Sequence, residues 1–226
     1  FHESILRQGI FYATNPHPQT GRWMHPDAVR RHVVKVFVPG LVRTDYAYID
    51  HVVGTMRDWR CYGGSLARLT TMEDHWIAAQ PDGETKLAKA RRNRTVLPHP
   101  VEWFLENHAL ICDVAVRGYP VNLCTYDRML RDPEKELAAV LHWLGSGDLA
   151  AAVAAVEPSL TTQRPAEGDL GMDPEHAEVF DTLYATLDRN QPLPGALLEA
   201  LNRVRDALVE RYGELSPDRH REDELA

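Results

Sequence analysis

Apolar residues recur along this chain in two rhythms. The first is a continuous β-branched run closed by turn residues. His32–Val38 (HVVKVFV), stopped by Pro39-Gly40, reads as a buried strand. Ile49–Met56 reads as a second strand and Pro120–Tyr126 as a third. The second rhythm is helical spacing, which fills the intervals. Arg57 opens a helix to about Ile77. Pro98–Arg117 carries Val101, Leu105, Leu110 and Val114 on one stripe, and Gly118 ends it as a C-cap. Asp132-Pro133 opens a helix to Leu144, with proline at the first helical position and Glu136 placed for a reciprocal cap; Gly145 stops it. Short helices are expected at Asp27–Arg31, from Thr44 or Asp45 to Tyr48, and at Asp148–Val156. Long ones follow from Asp173-Pro174 to about Asp188 and from Pro194 to Tyr212. Asn15–Gly21 and Gln80–Gly83 are turn chemistry, and Pro158–Gly171 is a loop.

Strands alternating with long helices predict an α/β protein: a parallel sheet flanked by helices, with a helical C-terminal extension. One domain spans 1–215, and 216–226 is a charged tail expected to fray. Ligands of such sheets bind beyond the carboxyl ends of strands. The residues just after Val38, Met56 and Cys124 are therefore the first candidates for chemistry.

Composition narrows the function. A length of 226 residues, with 44% hydrophobic and 26% charged residues, is ordinary for a globular chain with a sizeable core. The longest apolar run, Leu149–Val156, is too short to cross a bilayer. A net charge of -8 argues against general nucleic-acid binding, though not against a local anion pocket. Cys61, Cys112 and Cys124 fit no zinc spacing and no disulfide framework. A reducing cytosol is the expectation.

Two segments carry the candidate chemistry. Arg57 stands where the second strand ends, and Ser65 follows eight residues later, about two helical turns on. A guanidinium fork and a hydroxyl so placed can clasp one phosphate. The plain alternative is an arginine paired with Asp58 and a serine on a helix face. Tyr126 ends the third strand, where its ring can stack on a base or simply cover the edge of the core.

Together these segments resemble the sulfotransferase family, whose donor is PAPS (3′-phosphoadenosine 5′-phosphosulfate). Arg57 with Ser65, then Tyr126-Asp127-Arg128-Met129-Leu130-Arg131-Asp132-Pro133, match its order and spacing across about 32–145. The stretches Gly9–Pro16 and Lys35–Leu41 are similar to bacterial members. The resemblance implies a P-loop nucleotide fold, a three-layer sandwich. It further implies that Arg57 and Ser65 hold the donor's 3′-phosphate and that Tyr126 contacts adenine. PAP would be the product, no metal would be needed, and the acceptor would be a small molecule or glycan. No nucleic acid or membrane partner is implied, and a homodimer stays open.

The departures from the family matter as much. Its phosphosulfate loop does not occur in the chain, and the resemblance puts that loop upstream of Phe1. Many cytosolic members carry a basic histidine where this chain has Phe37, within Lys35-Val36-Phe37-Val38-Pro39. Lys35 is the candidate for stabilising charge on the leaving oxygen, with a core-edge lysine as the alternative. His51, His75, Asp45 and Glu73 are unranked candidates for the base. Arg164, in Thr161–Pro165, occupies a region comparable to the family's second 3′-phosphate loop, or is a solvated arginine. The basic run Lys86, Lys89, Arg91, Arg92 and Arg94 could attract an anion or be a solvated segment; Trp76 and Trp103 could line an acceptor pocket or be core. Two other functions compete: a non-catalytic module with the same fold, and a small-molecule kinase, which would need a GxxxxGK[ST] loop that the chain lacks.

Overall fold

Two short strands lie side by side and parallel: β1 (Val52–Met56) and β2 (Val121–Thr125), with Val52 opposite Val121 and Met56 opposite Thr125. The computed structural model describes residues 25–29, 33, 35–92, 97–160 and 170–213. Among these residues it holds ten α-helices and only this pair of strands. The helices before the strand pair are α1 (Pro26–Val29) and α2 (Val38–Arg43). The described residues between β1 and β2 hold three helices, α3 (Trp59–Ala78), α4 (Gly83–Arg92) and α5 (His99–Arg117). After β2 come α6 (Tyr126–Arg131), α7 (Pro133–Leu144), α8 (Leu149–Ala154), α9 (Pro174–Asp188) and α10 (Gly195–Tyr212).

This corrects the sequence expectation of a parallel sheet flanked by helices in a three-layer, P-loop nucleotide fold. The described chain is mostly helical. The expected first strand, 32–38, is where the reading fails. Lys35–Phe37 is coil, and Val38 opens α2 rather than ending a strand. Pro39 was the reason to stop a strand there, but it sits in the first turn of α2. A proline at that position loses no helical hydrogen bond, because the first N–H groups of a helix are unpaired in any case. Val33 is 99% exposed and Phe37 48%, so the β-branched run finds no sheet to enter.

Other expectations hold because their local signals are strong. The helix expected from Arg57 to about Ile77 is α3, and Asp58, which the sequence reading did not take as its cap, accepts from Arg60 N at 2.8 Å and caps it. Asp148 caps α8 in the same way. Gly118 takes the left-handed conformation (φ 69°) that closes α5, which only glycine adopts without strain. Glu136, expected to complete a cap on α7, turns instead to Arg128, while Asp132 alone caps that helix from Lys135 N at 3.1 Å. The basic stretch after Gly83 is helix α4, and Arg91 pairs with Asp74 of α3 at 3.0 Å; Arg94 lies outside the described residues.

The main core gathers Met56 at the end of β1, Trp59 of α3, Val101, Trp103 and Phe104 of α5, and the apolar faces of α9 and α10. Phe180 is its hub. It stacks on Phe104 at a centroid distance of 4.8 Å and meets Trp59 edge-on at 5.7 Å. Leu197, Leu201, Val204 and Leu208 place α10 on the same core, at helical spacing. The C-terminal helices are thus half of the core, not an extension of it. A second cluster of Leu41, Leu110 and Tyr119 gathers Val36 and Val38 against Val52 and Val121, the first residues of the two strands. Arg117 fastens this end, donating to the carbonyls of Leu41 and Thr44 and to Asp113.

Candidate functional site

Both strands hand over to a helix at their carboxyl ends, β1 to α3 and β2 to α6. Arg57 and Tyr126, the first residues beyond each strand, therefore come together. The Arg57 guanidinium lies over the Tyr126 ring, 4.2 Å from its centroid. Stacking engages the face of a guanidinium and leaves its edge of N–H donors available. No described carboxylate forms an ion pair with Arg57. The alternative of an Arg57–Asp58 pair does not occur: the Asp58 carboxylate turns back to cap α3. Burial, only partly offset by the Arg60 amide and charge, raises the pKa of Asp58.

The frame that holds this pair is rigid and buried. Trp103 Nε1 donates to the Arg57 carbonyl at 2.8 Å, tying the end of β1 to α5. Trp103 is 1% exposed, so it belongs to the core rather than to an acceptor pocket. Tyr126 is held on both sides. Thr125 donates its hydroxyl to Asp188, and the same oxygen accepts from Arg128 N at 3.1 Å and caps α6. Asp127 accepts from the Tyr184 hydroxyl at 2.8 Å. Tyr184 and Asp188 are one turn apart on α9. Burial and the Asp127 carboxylate both push the Tyr184 hydroxyl up, so it is a donor across the accessible pH range.

Around this centre the charges are arranged rather than free. Arg60 stacks on Trp59 at 4.1 Å and grips Asp181 with both terminal nitrogens, and Trp59 Nε1 adds a bond of 2.8 Å. The hydrogen bond from Arg60 holds Asp181 below the usual carboxylate range. Burial raises the pKa of Cys61, and Asp58 and Asp127 add to it against Arg57, so this thiol stays protonated. Among the described residues, no group of three His, Cys, Asp or Glu side chains is placed to hold a metal.

The remaining sequence candidates separate into those near this centre and those away from it. Ser65 is half-buried, two turns into the helix that Arg57 precedes. Lys35 is exposed in the coil before α2, and its neighbours Val36 and Val38 pack at the amino ends of the strands. The fold thus does not bring Lys35 to Arg57 and Tyr126. Asp45 caps the turn Tyr46–Tyr48. His51 pairs with Asp50 and meets Trp143 edge-on at 4.8 Å. Glu73 and His75 sit near the far end of α3, about 20 Å along its axis from Trp59. Trp76 is 40% exposed, also near that end. Arg164 lies outside the described residues. Asp127 and Tyr184 are the members that sequence reasoning did not assign to the site, and it offered Trp103 only as acceptor pocket or core. Asp127 had a signal, its place directly after Tyr126; Tyr184 reaches the site across the core. No helix among the described residues is long and apolar enough to cross a membrane. No protein-family model, no curated protein and no solved structure matches this chain.

Proposed function

We propose that the chain binds PAPS by its 3′-phosphoadenosine end and serves transfer of the sulfuryl group to a hydroxyl or amine of an acceptor. The observation that carries this reading is the Arg57–Tyr126 stack at the carboxyl ends of two parallel strands. The edge of the Arg57 fork suits a bidentate phosphate contact, Ser65 supplies a further donor, and an aromatic ring such as that of Tyr126 suits an adenine ring. A non-transferring nucleotide is recognised by the same three groups.

In the transfer step the sulfur–oxygen bond to the donor phosphate breaks as a bond forms to the acceptor oxygen or nitrogen. PAP keeps the bond's electron pair, and the acceptor proton leaves to a base or to water. Catalysis of this kind rests mainly on positioning and on charge stabilisation. Phe37 has no atom to take that proton, and Lys35 sits toward the other end of the strands. Those two placements favour the second reading, a donor-binding module without transfer activity. A reducing compartment such as the cytosol suits its three free cysteines.

Thermal unfolding with and without adenosine 3′,5′-bisphosphate tests the reading, on the native chain and on Arg57→Ala. Ligand at 100 times its dissociation constant stabilises by about 2.7 kcal/mol. A rise in Tm that Arg57→Ala abolishes supports it, and sulfuryl transfer to an acceptor panel then separates enzyme from module. No rise in the native chain overturns both.

A further inference from the structure

Behind the strand ends, the first turn of α7 and the turn after α9 enclose a cleft of about 330 Å³. The Arg128 guanidinium lines it from below, in a residue only 9% exposed. Its Nε donates to Glu136 at 2.7 Å, and Nη1 donates to the Leu187 carbonyl at 2.9 Å and to Asn190 at 3.1 Å. Its Nη2 has no partner among the described residues. Nη2 is not among the buried atoms that lack a partner, so it is open to the cleft and can donate to whatever occupies it.

The rest of the lining points to the same kind of occupant. Arg131, Lys135 and Arg189 stand around the rim. Arg131 is engaged by Asp188 at 2.8 Å, but no described carboxylate pairs with Lys135 or Arg189. The three carboxylates of the lining are all occupied: Glu136 by Arg128, Asp188 by Thr125 and Arg131, and Asp132 by the amide it caps. A chain of net charge -8 therefore holds, in one cleft, four cations against three carboxylates, with Lys135 and Arg189 free of described carboxylate partners and Arg128 Nη2 unused. The positive end of the twelve-residue helix α7 adds to this field.

We propose that this cleft binds a small doubly charged oxyanion, either free phosphate or the phosphomonoester end of a small molecule. Arg128 Nη2 is the donor in the wall of the cleft, and Lys135 and Arg189 close on the anion from the rim. The volume lies at the lower end of the range for ligand pockets, roughly 300–1,000 Å³, which suits a phosphoryl group with a short organic tail. The site shares no residue with the Arg57–Tyr126 pair and stands whether or not the chain binds PAPS.

Isothermal titration at constant ionic strength, with inorganic phosphate and with glycerol 3-phosphate, tests this on the full chain, on Lys135→Gln/Arg189→Gln and on Arg57→Ala. Both substituted rim residues are exposed, so the fold should survive, and circular dichroism checks it. The native chain should saturate with at least one probe, and the tighter probe identifies the source of the phosphate. The double variant should weaken binding by about tenfold or more, while Arg57→Ala leaves it unchanged. The site is overturned if neither probe saturates below about 10 mM, a dissociation free energy near 3 kcal/mol. It is equally overturned if the double variant binds as the native chain does, or if Arg57→Ala abolishes binding.

Discussion

Tyr184 and Asp127 share a hydrogen bond of 2.8 Å that ties the middle of α9 to the first turn of α6. One turn along α9, Asp188 accepts from Thr125. The residue between these two anchors is Tyr126, so the orientation of its ring over Arg57 is set by a helix more than 50 residues later in the chain.

Tyr184→Phe keeps the packing and deletes one of the two anchors. Its cost should be about 1 kcal/mol, a fall in Tm of roughly 2–4 °C for a chain of this size. If Tyr184 positions Tyr126, affinity for adenosine 3′,5′-bisphosphate should fall by more than that stability change would cause under folded conditions. An affinity equal to the native chain's would assign Tyr184 to stability alone.

Arg128 and Glu136 form the most buried ion pair among the described residues, with side-chain exposures of 11% and 12%. Glu136→Ala strands the guanidinium and should cost about 3–5 kcal/mol in denaturant titrations. Arg128→Met/Glu136→Leu removes both charges and should recover most of that loss, since an apolar pair of similar volume has no desolvation penalty. A double variant as unstable as Glu136→Ala would show that the Leu187 and Asn190 contacts matter more than the pair.

Phe180 is fully buried between Phe104, Trp59 and Trp103. Phe180→Ala opens a cavity at the junction of α3, α5 and α9 and should cost about 3–5 kcal/mol. The more conservative Phe180→Leu should cost less than half as much. Equal losses would mean that ring stacking, not volume, holds this junction.

Stability should decline as pH rises through the weakly acidic range. Glu106 on α5 accepts from the Tyr62 hydroxyl at 3.3 Å. Burial, reinforced by the charge on Glu102, pushes its carboxyl from 4.5 up to about 7. The folded chain then holds a proton that the unfolded chain has released. That contribution is full below about pH 4.5 and is lost as pH rises to about 7. Glu102 and Asp58, also raised by burial, act with the same sign. Asp181 and Asp188 are lowered and act in the opposite sense, at lower pH. Glu106→Gln should therefore raise Tm at pH 8 and flatten the decline between pH 5 and 8. An unchanged pH profile would count against a buried Glu106.

Local chemistry made much of the chain legible. Asp148 and Asp173 announce helix starts by placing a carboxylate where the first amides need an acceptor. Gly118 and Gly145 announce helix ends, because the left-handed turn there favours glycine. Arg57 and Tyr126 were found by their places after two β-branched runs, and those runs do pair. Pro39 shows the limit, since the same residue ends a strand or begins a helix. Whether a β-branched run becomes a strand depends on a neighbouring strand to accept its hydrogen bonds, and no local signal reports that neighbour.

By itself, then, the sequence determined the long helices α3, α5, α7, α9 and α10, several of their ends and the two residues that follow the paired strands. These depend on contacts within a few positions along the chain. Only the tertiary structure decided that Tyr184 and Asp188 brace Tyr126, that Trp103 anchors Arg57, and that Arg128 lies nearly buried with one nitrogen unused. Each of those contacts joins residues from different elements, and each exists because burial around Phe180 brings α5 and α9 onto the strand pair. A side chain's partner across a core follows from packing, which no periodicity along the chain encodes.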